Sequence, residues 1–207
     1  CPGRLWVSEL PQNIMQYDNE HQLKFTPLLS GLYKNHGFCI HQGRKIQYAV
    51  VGSENGVYMV VPPNSGDSSW KCEHIFDKPV SDMLYRDFDH DGENELLVIT
   101  PFHGENIQIY KSSNGKMLKI YERKKKMPFA HAIWGDTING DEYAFIGGRN
   151  GDRELVSIHY DRDTEQYIEE VIDVGAGAAN CMMYKVDGEK RLLVANRETD
   201  EVGIYEW

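Results

Sequence analysis

The feature of this sequence that most constrains its fold is a weak internal repeat. Four similar five-residue segments recur at intervals of 46, 49 and 49 residues, and each is followed by a polar turn, an apolar run and a further alternating run. The segments begin at His36, Asp82, His131 and Asn180. Four short strands in about 40 to 50 residues are the period of a propeller blade. The sequence therefore predicts an all-β fold, a β-propeller of repeated four-stranded antiparallel blades.

The repeat also sets the expected boundaries. A repeated blade buries its faces against its neighbours, so we expect a single β-propeller domain over residues 1–207 rather than separate domains. The repeat accounts for four to five blades, and the first of them is partial. The expected segments are partial blade strands at 1–30 and blades at 31–77, 78–122, 123–173 and 174–207.

The two ends of the chain leave the closure of the ring open. Strand-like runs at residues 4–7 and 22–29 precede the first full repeat, and the last repeat ends after its third run. In one arrangement, residues 22–29 pair into the last blade and close the ring. In the other, the chain is the C-terminal portion of a larger propeller of about seven blades. Open strand edges in that second case predict self-association or a protein partner.

Charge and hydropathy exclude two classes of partner. The net charge of −10 argues against nucleic acid, because phosphate binding needs clustered Lys and Arg. The one basic run, residues 123–126, is expected to form a solvated turn. No apolar stretch approaches the ~18 residues of a membrane span. We therefore expect no nucleic acid and no membrane partner.

Cysteine usage gives a weak indication of compartment. The four cysteines show no CxxC spacing, and two of them fall in the apolar first runs of repeats, which favours buried free thiols over a disulfide framework. Free thiols favour the cytoplasm. The chain begins with Cys1 rather than Met, so a secretion signal upstream stays compatible with the sequence.

The segment 87–95 has the composition of a cation loop. Its acidic side chains alternate and are followed by Gly92, which permits the positive φ of a tight loop. Oxygen ligands on a flexible loop suit calcium. An EF-hand is excluded, because the twelfth loop position is Val98 and the flanking runs have strand character.

This segment resembles the D-x-D-x-D-G-x-x-[DE] loop of FG-GAP or VCBS-type propeller repeats. The resemblance implies a structural calcium held by the side chains of Asp87, Asp89, Asp91 and Glu95 and by the backbone carbonyl of Glu93. Only the second repeat has the motif in full. The alternative is an acidic turn that ties the blade without a metal.

The four aligned residues that begin the segments are candidates for a functional site. First strands line the channel of a propeller, so one register in successive blades forms a ring at one mouth. His36, His131 and Asp82 offer metal-binding or acid–base groups and are the candidate catalytic residues. Asn180 is a candidate for substrate binding. The alternative is that these residues hydrogen-bond only channel water and neighbouring backbone.

Two arginines follow the second strands of their repeats at equivalent places. Arg149 and Arg197 are expected to bind a carboxylate or phosphate if their loops reach the same rim. The alternative is that they pair with Asp152 or Glu198. The remaining histidines, His103 among them, fall on scattered registers and receive no role.

These residues favour a small polar or anionic ligand such as a carbohydrate. The chain resembles VCBS-like propellers of polysaccharide lyases and sugar dehydratases, in which histidines at one face serve metal binding or proton transfer. The resemblance implies a carbon–oxygen lyase or dehydratase acting on a sugar or sugar acid, with a divalent metal at the channel mouth. The alternatives are a non-catalytic ligand-binding or protein-interaction propeller with a structural calcium loop, and a fragment of a larger propeller.

Overall fold

A computed structural model describes residues 3–9, 24–42, 47–63 and 69–206. These residues form seventeen strands and no helix. The strands are β1 Gly3–Glu9, β2 Lys24–Leu32, β3 Phe38–Gln42, β4 Gln47–Ser53, β5 Gly56–Val61, β6 Lys71–Phe76, β7 Asp82–Arg86, β8 Glu95–Thr100, β9 Asn106–Ser113, β10 Lys116–Glu122, β11 Ala130–Ile138, β12 Asp141–Gly148, β13 Leu155–Asp161, β14 Gln166–Asp173, β15 Ala178–Val186, β16 Glu189–Asn196 and β17 Glu201–Glu206.

The strands form consecutive antiparallel sheets, as the repeat predicts. Three four-stranded sheets contain β3 to β6, β7 to β10 and β11 to β14 in chain order, and we call them blades 1, 2 and 3. Blade 4 has three strands, β15 to β17, and a two-stranded sheet of β1 and β2 precedes blade 1. The all-β propeller arrangement is thereby confirmed.

The hydrophobic core lies between the blades. One cluster joins Val50 and Val57 of blade 1 to Met83 of blade 2, and a second joins blade 2 to blade 3. A third joins Phe145 of blade 3 to Leu192 of blade 4. A central strand such as β8 is buried along its whole length because both of its faces meet a neighbouring blade. Each blade thus depends on its neighbours for burial.

As far as the structure describes them, the two ends of the chain do not pair with each other. The expected closing run at 22–29 overlaps β2, and β2 pairs with β1 rather than with blade 4, so that arrangement is wrong for residues 24–29. Residues 22 and 23 lie outside the described residues. β17 pairs only with β16 among the described residues, which leaves its other edge open.

The basic run 123–126 differs from the expected solvated turn. Arg123 is 3% exposed, and its Nη2 lies 2.8 Å from a carboxylate oxygen of both Glu154 and Glu169. A guanidinium can be buried in this way only when carboxylates neutralise it. Lys124, Lys125 and Lys126 are exposed. The run therefore contains a buried ion pair that ties blade 2 to blade 3.

Two further expectations concern thiols and membranes. Cys39, Cys72 and Cys181 carry free thiols, and Cys1 lies outside the described residues. No helix with the length and apolarity needed to cross a membrane occurs in the part of the chain that the structure describes.

Candidate functional site

The first strand of each blade, which we call its inner strand, begins with a β-bulge. In blades 3 and 4 the pairing of the first two strands skips one residue, between Ala130 and Ala132 and between Ala178 and Asn180. In blade 1 the N–H of His36 donates to the carbonyl of Gly52. In blade 2, Asp82 pairs with Ile99, and the N–H of Ser81 donates to the carbonyl of Ile99. Two inner-strand residues therefore oppose one residue of the second strand.

The bulges correct the sequence alignment by one residue. His36 and His131 occupy the first bulge position, whereas Asp82 and Asn180 occupy the second. The four residues therefore do not share one register, although all lie at the same end of their strands. The slip is invisible in the sequence because an apolar residue comes directly after the second bulge position in every repeat.

Each of these histidines is oriented by the backbone of the next blade. His131 Nδ1 lies 2.8 Å from the carbonyl oxygen of Ala179, so Nδ1 carries the proton and Nε2 is left with its lone pair. His36 makes a hydrogen bond to the backbone of Ser81. Ser81 and Ala179 hold equivalent first bulge positions. Such carbonyl contacts are typical of histidines that bind metals.

A third histidine completes a cluster. The loop after β8 returns to the end of the blade where the bulges lie, and it places His103 Nε2 3.5 Å from His36 Nε2. One ring nitrogen from each of His36, His103 and His131 lies within 4.8 Å of the other two. We call these three residues the histidine cluster. Its members come from blades 1, 2 and 3, and none of them is buried.

The surroundings of two of these imidazoles lower the pKa and so favour the neutral form over the charged one. Partial burial lowers the pKa of His36, and the nearby His131 lowers it further. The pKa of His103 is lowered by burial and by the other two histidines. Phe102 stacks on His103 with ring centroids 4.1 Å apart, and Phe129 lies 4.7 Å from the same ring. Neutral imidazoles present the lone pairs that a metal ion requires.

Asp82 lies beside the cluster in a confined position. Its Oδ1 accepts a hydrogen bond of 2.9 Å from the N–H of Met83, and burial raises its pKa to about 7. Residue 37, which follows His36, must be glycine, because a Cβ there would lie 2.2 Å from Asp82 Oδ1. In the same way, Asn180 Oδ1 accepts a hydrogen bond of 2.9 Å from the N–H of Cys181.

Arg149 and Arg197 lie at the same rim, and both pair with the carboxylate of Glu198. Arg149 Nε and Nη2 lie 3.0 and 2.8 Å from Glu198 Oε1, and Arg197 Nη1 lies 3.2 Å from the same oxygen. The guanidinium of Arg149 also stacks over Phe129 at 4.6 Å. Of the pairings considered from the sequence, that with Glu198 is present, and Asp152 instead pairs with Lys125.

A cavity of about 620 Å³ extends from the bulges along the inner strands. Four of its polar residues are those that the sequence singled out, His36, Asp82, His131 and Asn180. Farther along the strands its walls become apolar. It is large enough for a small-molecule ligand.

The acidic loop lies between β7 and β8, at the end of blade 2 opposite the bulges. One carboxylate oxygen from each of Asp87, Asp89, Asp91 and Glu95 lies within 4.8 Å of the others. Glu93 takes part through its N–H, which donates to Asp91 Oδ1 at 3.0 Å. The four expected side-chain ligands are thus brought together.

An ammonium group already lies among these carboxylates. Lys111 Nζ, from β9, is 2.5 Å from Asp89 Oδ2 and 2.8 Å from both Asp91 Oδ2 and Glu95 Oε1. Glu95 is fully buried, so its charge needs a partner. A calcium ion and the Lys111 ammonium need the same oxygens. Calcium at this loop stays a prediction.

Comparison with known proteins gives the fold. No family model matches the chain, and no curated protein matches it. Among solved structures, it is similar to a candidate 6-phosphogluconolactonase from Bacteroides uniformis, with a TM-score of 0.55 at 14% identity over 83% of this chain and 50% of that one. A candidate 6-phosphogluconolactonase from Bacteroides fragilis gives a TM-score of 0.56 at 12% identity over 97% of this chain and 60% of that one. The chain thus spans about half to three fifths of these proteins.

Sequence reasoning missed His103, and the structure shows why. The repeat aligns only the histidines at the start of the inner strands, whereas His103 lies in a loop after a second strand. Arg149 and Arg197 occupy the corresponding loops of blades 3 and 4. A comparison of all the loops that follow second strands would have grouped His103 with those arginines at one rim.

Proposed function

We propose that this chain provides the metal- and substrate-binding face of a carbohydrate-active carbon–oxygen lyase or dehydratase acting on a sugar acid. The observation that carries this proposal is the histidine cluster, whose ring nitrogens lie within 4.8 Å of one another. Three blades separated by long stretches of sequence contribute to it. Such convergence of basic nitrogens at a cavity is typical of a functional site rather than of packing.

The cluster fits a divalent transition metal. Three imidazoles are a known ligand set for catalytic zinc, with the fourth position left to water or substrate. Because Nδ1 of His131 is bound to the Ala179 carbonyl, Nε2 is the nitrogen that His131 can offer to a metal. A bound metal would supply Lewis-acid polarisation of the substrate carboxylate. The chain's own residues hold and orient that carboxylate.

Asp82 is the proposed general base. A carboxyl group whose pKa is about 7 is half ionised at neutral pH and accepts a proton efficiently. In an elimination, the C–H bond next to the carboxylate breaks and its proton moves to Asp82. The electron pair forms the C=C bond as the C–O bond on the next carbon breaks. The leaving oxygen takes a proton from solvent.

Asn180 and the arginines serve substrate binding in this proposal. The Oδ1 of Asn180 is used by Cys181 N–H, which leaves the amide nitrogen to donate to a substrate hydroxyl. Glu198 takes two of the five donors of Arg149, and the others are available for an anionic group at the rim. The side chain of Arg197 is 61% exposed, so it is the more accessible of the two arginines to a ligand.

Two likenesses enter this proposal, one for the substrate and one for the acidic loop. The solved structures of similar fold are named for a phosphogluconolactone, which is a sugar-acid derivative. The acidic loop resembles that of FG-GAP or VCBS-type repeats, and we include the chain in that group as part of the proposal. A calcium ion in the loop would stabilise blade 2 from the end away from the cavity.

A second function is favoured by the open edge of β17. Blade 4 has three strands, and the chain spans 50% to 60% of the similar solved structures. A propeller with an open edge can act by binding another polypeptide there. In that case the chain is a protein-interaction module or a fragment of a larger propeller, and the cavity is completed by other blades.

The experiment that tests the proposal is an elimination assay. Zinc-loaded protein is incubated with uronate-containing oligosaccharides, and the conjugated C=C–carboxylate product is followed by ultraviolet absorbance. We expect Asp82→Asn to lower the rate by roughly 10²- to 10⁴-fold, the usual contribution of a general base. The matched control is Lys116→Met, far from the cavity. Equal rates for Asp82→Asn and the unsubstituted protein would contradict the proposed base.

A further inference from the structure

Neighbouring blades pack through the same two faces at each of the three junctions between blades 1 to 4. We call the face of a blade that contacts the next blade its trailing face, and the face that contacts the previous blade its leading face. Because side chains alternate along a strand, each residue belongs to one of these faces. The three hydrophobic clusters are these junctions. Blade 1 therefore has a leading face, and blade 4 a trailing face, that no other blade of the described chain covers.

One trailing-face position recurs in the third strand of every blade. The strand pairings place Val57, Ile107, Leu155 and Val202 at this position. In blades 1 to 3 the residue is at most 1% exposed, whereas Val202 of blade 4 is 71% exposed. The next trailing-face residue of blade 4, Ile204, is 58% exposed, and its counterpart in blade 2, Ile109, is fully buried. Blade 4 thus keeps the apolar residues that a following blade would cover.

A leading-face position recurs in the inner strands. It is the residue directly after the second bulge position, and it is filled by Phe38, Met83, Ile133 and Cys181. Met83 and Cys181 are 0% and 4% exposed, and Ile133 packs against the cluster between blades 2 and 3. Phe38 is 73% exposed, and Ile40, on the same face of β3, is 59% exposed. Blade 1 thus keeps the apolar residues that a preceding blade would cover.

The two uncovered faces are the two halves of one more junction. At every internal junction a trailing face packs on a leading face, and the chain has one of each uncovered. Two copies can therefore cover each other, with blade 4 of one copy packed on blade 1 of the other. Because the two faces differ, this contact is heterologous, and a closed pair of copies contains it twice. The chain spans 50% to 60% of the similar solved structures, so a second copy adds about as much chain as those structures contain beyond it.

We propose that this chain forms a head-to-tail dimer in which the trailing face of blade 4 covers the leading face of blade 1 of a second copy. The observation that carries the proposal is that the positions of Val202 and Phe38 are covered at the internal junctions and exposed only at the two terminal faces. Burial of these apolar side chains favours the association. The proposal is independent of the histidine cluster, so its failure leaves the proposed elimination chemistry untouched.

The test measures the dimer dissociation constant by sedimentation velocity for two single variants. Phe38→Glu and Val202→Lys each place a charge on one of the two faces. Each variant alone has a damaged face in both contacts of its dimer, so we expect the dissociation constant to rise roughly 10- to 100-fold. Leu118→Lys is the control, because Leu118 is 52% exposed but lies on β10, the outer strand of blade 2. Circular dichroism checks that each variant folds like the unsubstituted chain.

An equal mixture of the two variants tests the head-to-tail geometry. In the mixed dimer one contact joins two unsubstituted faces, and the other brings the two opposite charges together. We therefore expect the mixture to dimerise at least about 10-fold more tightly than either variant alone. This rescue requires a contact between two different faces, because a contact of one face with its own copy would stay damaged.

Each of the other outcomes would overturn the proposal. A monomer at all concentrations would show that the two faces do not bind each other. A dimer weakened by Val202→Lys but not by Phe38→Glu would assign the association to the edge of β17. A mixture that dimerises no better than its components would exclude the head-to-tail contact. Growth beyond the dimer with rising concentration would exclude the closed pair of copies.

Discussion

Asp82 and Asn180 show how one side-chain position can serve packing or chemistry. Both occupy the second bulge position, and both accept the N–H of the following residue through Oδ1. An amide satisfies this position without charge. A carboxylate can accept the same hydrogen bond, but burial destabilises its charged form and raises the pKa of Asp82 to about 7. Blade 2 therefore carries a destabilising group where blade 4 has a neutral one, as expected of a residue retained for function.

The first prediction is a gain of stability in Asp82→Asn. The pKa of Asp82 is raised in the folded protein, so protonation favours folding, and stability falls as pH rises from about 4 to about 7. An asparagine at this position does not ionise, so the variant does not lose this stability as the pH rises. Because one pKa unit is worth about 1.4 kcal/mol, the gain at pH 8 is at most about 4 kcal/mol and vanishes near pH 4. Urea denaturation at both pH values measures it.

The matched substitution for this prediction is Asn180→Asp. It places a carboxylate in the equivalent position of blade 4, where residue 180 is exposed and the charge stays solvated, so the free energy of unfolding should change little at either pH. A constant difference between Asp82→Asn and the unsubstituted protein at all pH values would contradict the raised pKa.

The second prediction concerns the cation of the acidic loop. Lys111→Met removes the ammonium that contacts Asp89, Asp91 and Glu95, so the remaining carboxylates repel one another and stability falls. Calcium should then bind the loop and raise the melting temperature again, by an amount that grows with the logarithm of the calcium concentration above its Kd. Thermal melts with and without calcium measure the effect. Lys116→Met, at the exposed lysine that begins β10, should change neither value. Equal calcium responses in Lys111→Met and the unsubstituted protein would exclude competition between Lys111 and calcium.

At the scale of elements, the blades are joined by buried groups as well as by the apolar core. The third prediction is that Arg123→Ala destabilises the protein by up to about 3 kcal/mol, because the buried Glu154 would keep only the exposed Lys125 as a partner. The urea midpoint measures this loss. Lys124→Ala, at the exposed next position, serves as the control. A midpoint for Arg123→Ala equal to that of the control would show that the ion pair does not hold blades 2 and 3 together.

The strands could be predicted wherever a short stretch of sequence is enough to define them. Strand runs such as 95–100 and 191–195 can be read from apolar residues and turns, and they lie within β8 and β16. The bulges could not be read, because an extra residue opposite one partner leaves the apolar pattern unchanged. His103 was missed for a related reason, since its place depends on where a loop returns in space. The burial of Arg123 required knowledge of Glu154 in the next blade.

At the scale of the whole molecule, the arrangement ends on an open edge. β17 exposes Val202 and Ile204, at 71% and 58%, and its outer edge pairs with no other strand of the described part of the chain. Such edges promote pairing with other strands. The fourth prediction is that the chain self-associates and that Val202→Lys reduces the association, since a charge on an edge strand opposes pairing. Sedimentation velocity over a range of concentrations measures it, with Lys124→Ala as the control. A monomer at all concentrations would contradict this prediction.

The histidine cluster is also a property of the whole molecule, because it exists only if three blades stand in their places. The decisive measurement is elemental analysis of the chain after incubation with zinc and removal of unbound metal. We predict about one zinc ion per chain, lost in His103→Ala and in the His36→Ala, His131→Ala double variant, and retained in His74→Ala, whose histidine lies on β6 away from the cluster. No stoichiometric zinc in the unsubstituted chain, or equal zinc in His103→Ala, would contradict the metal site on which the proposed function depends.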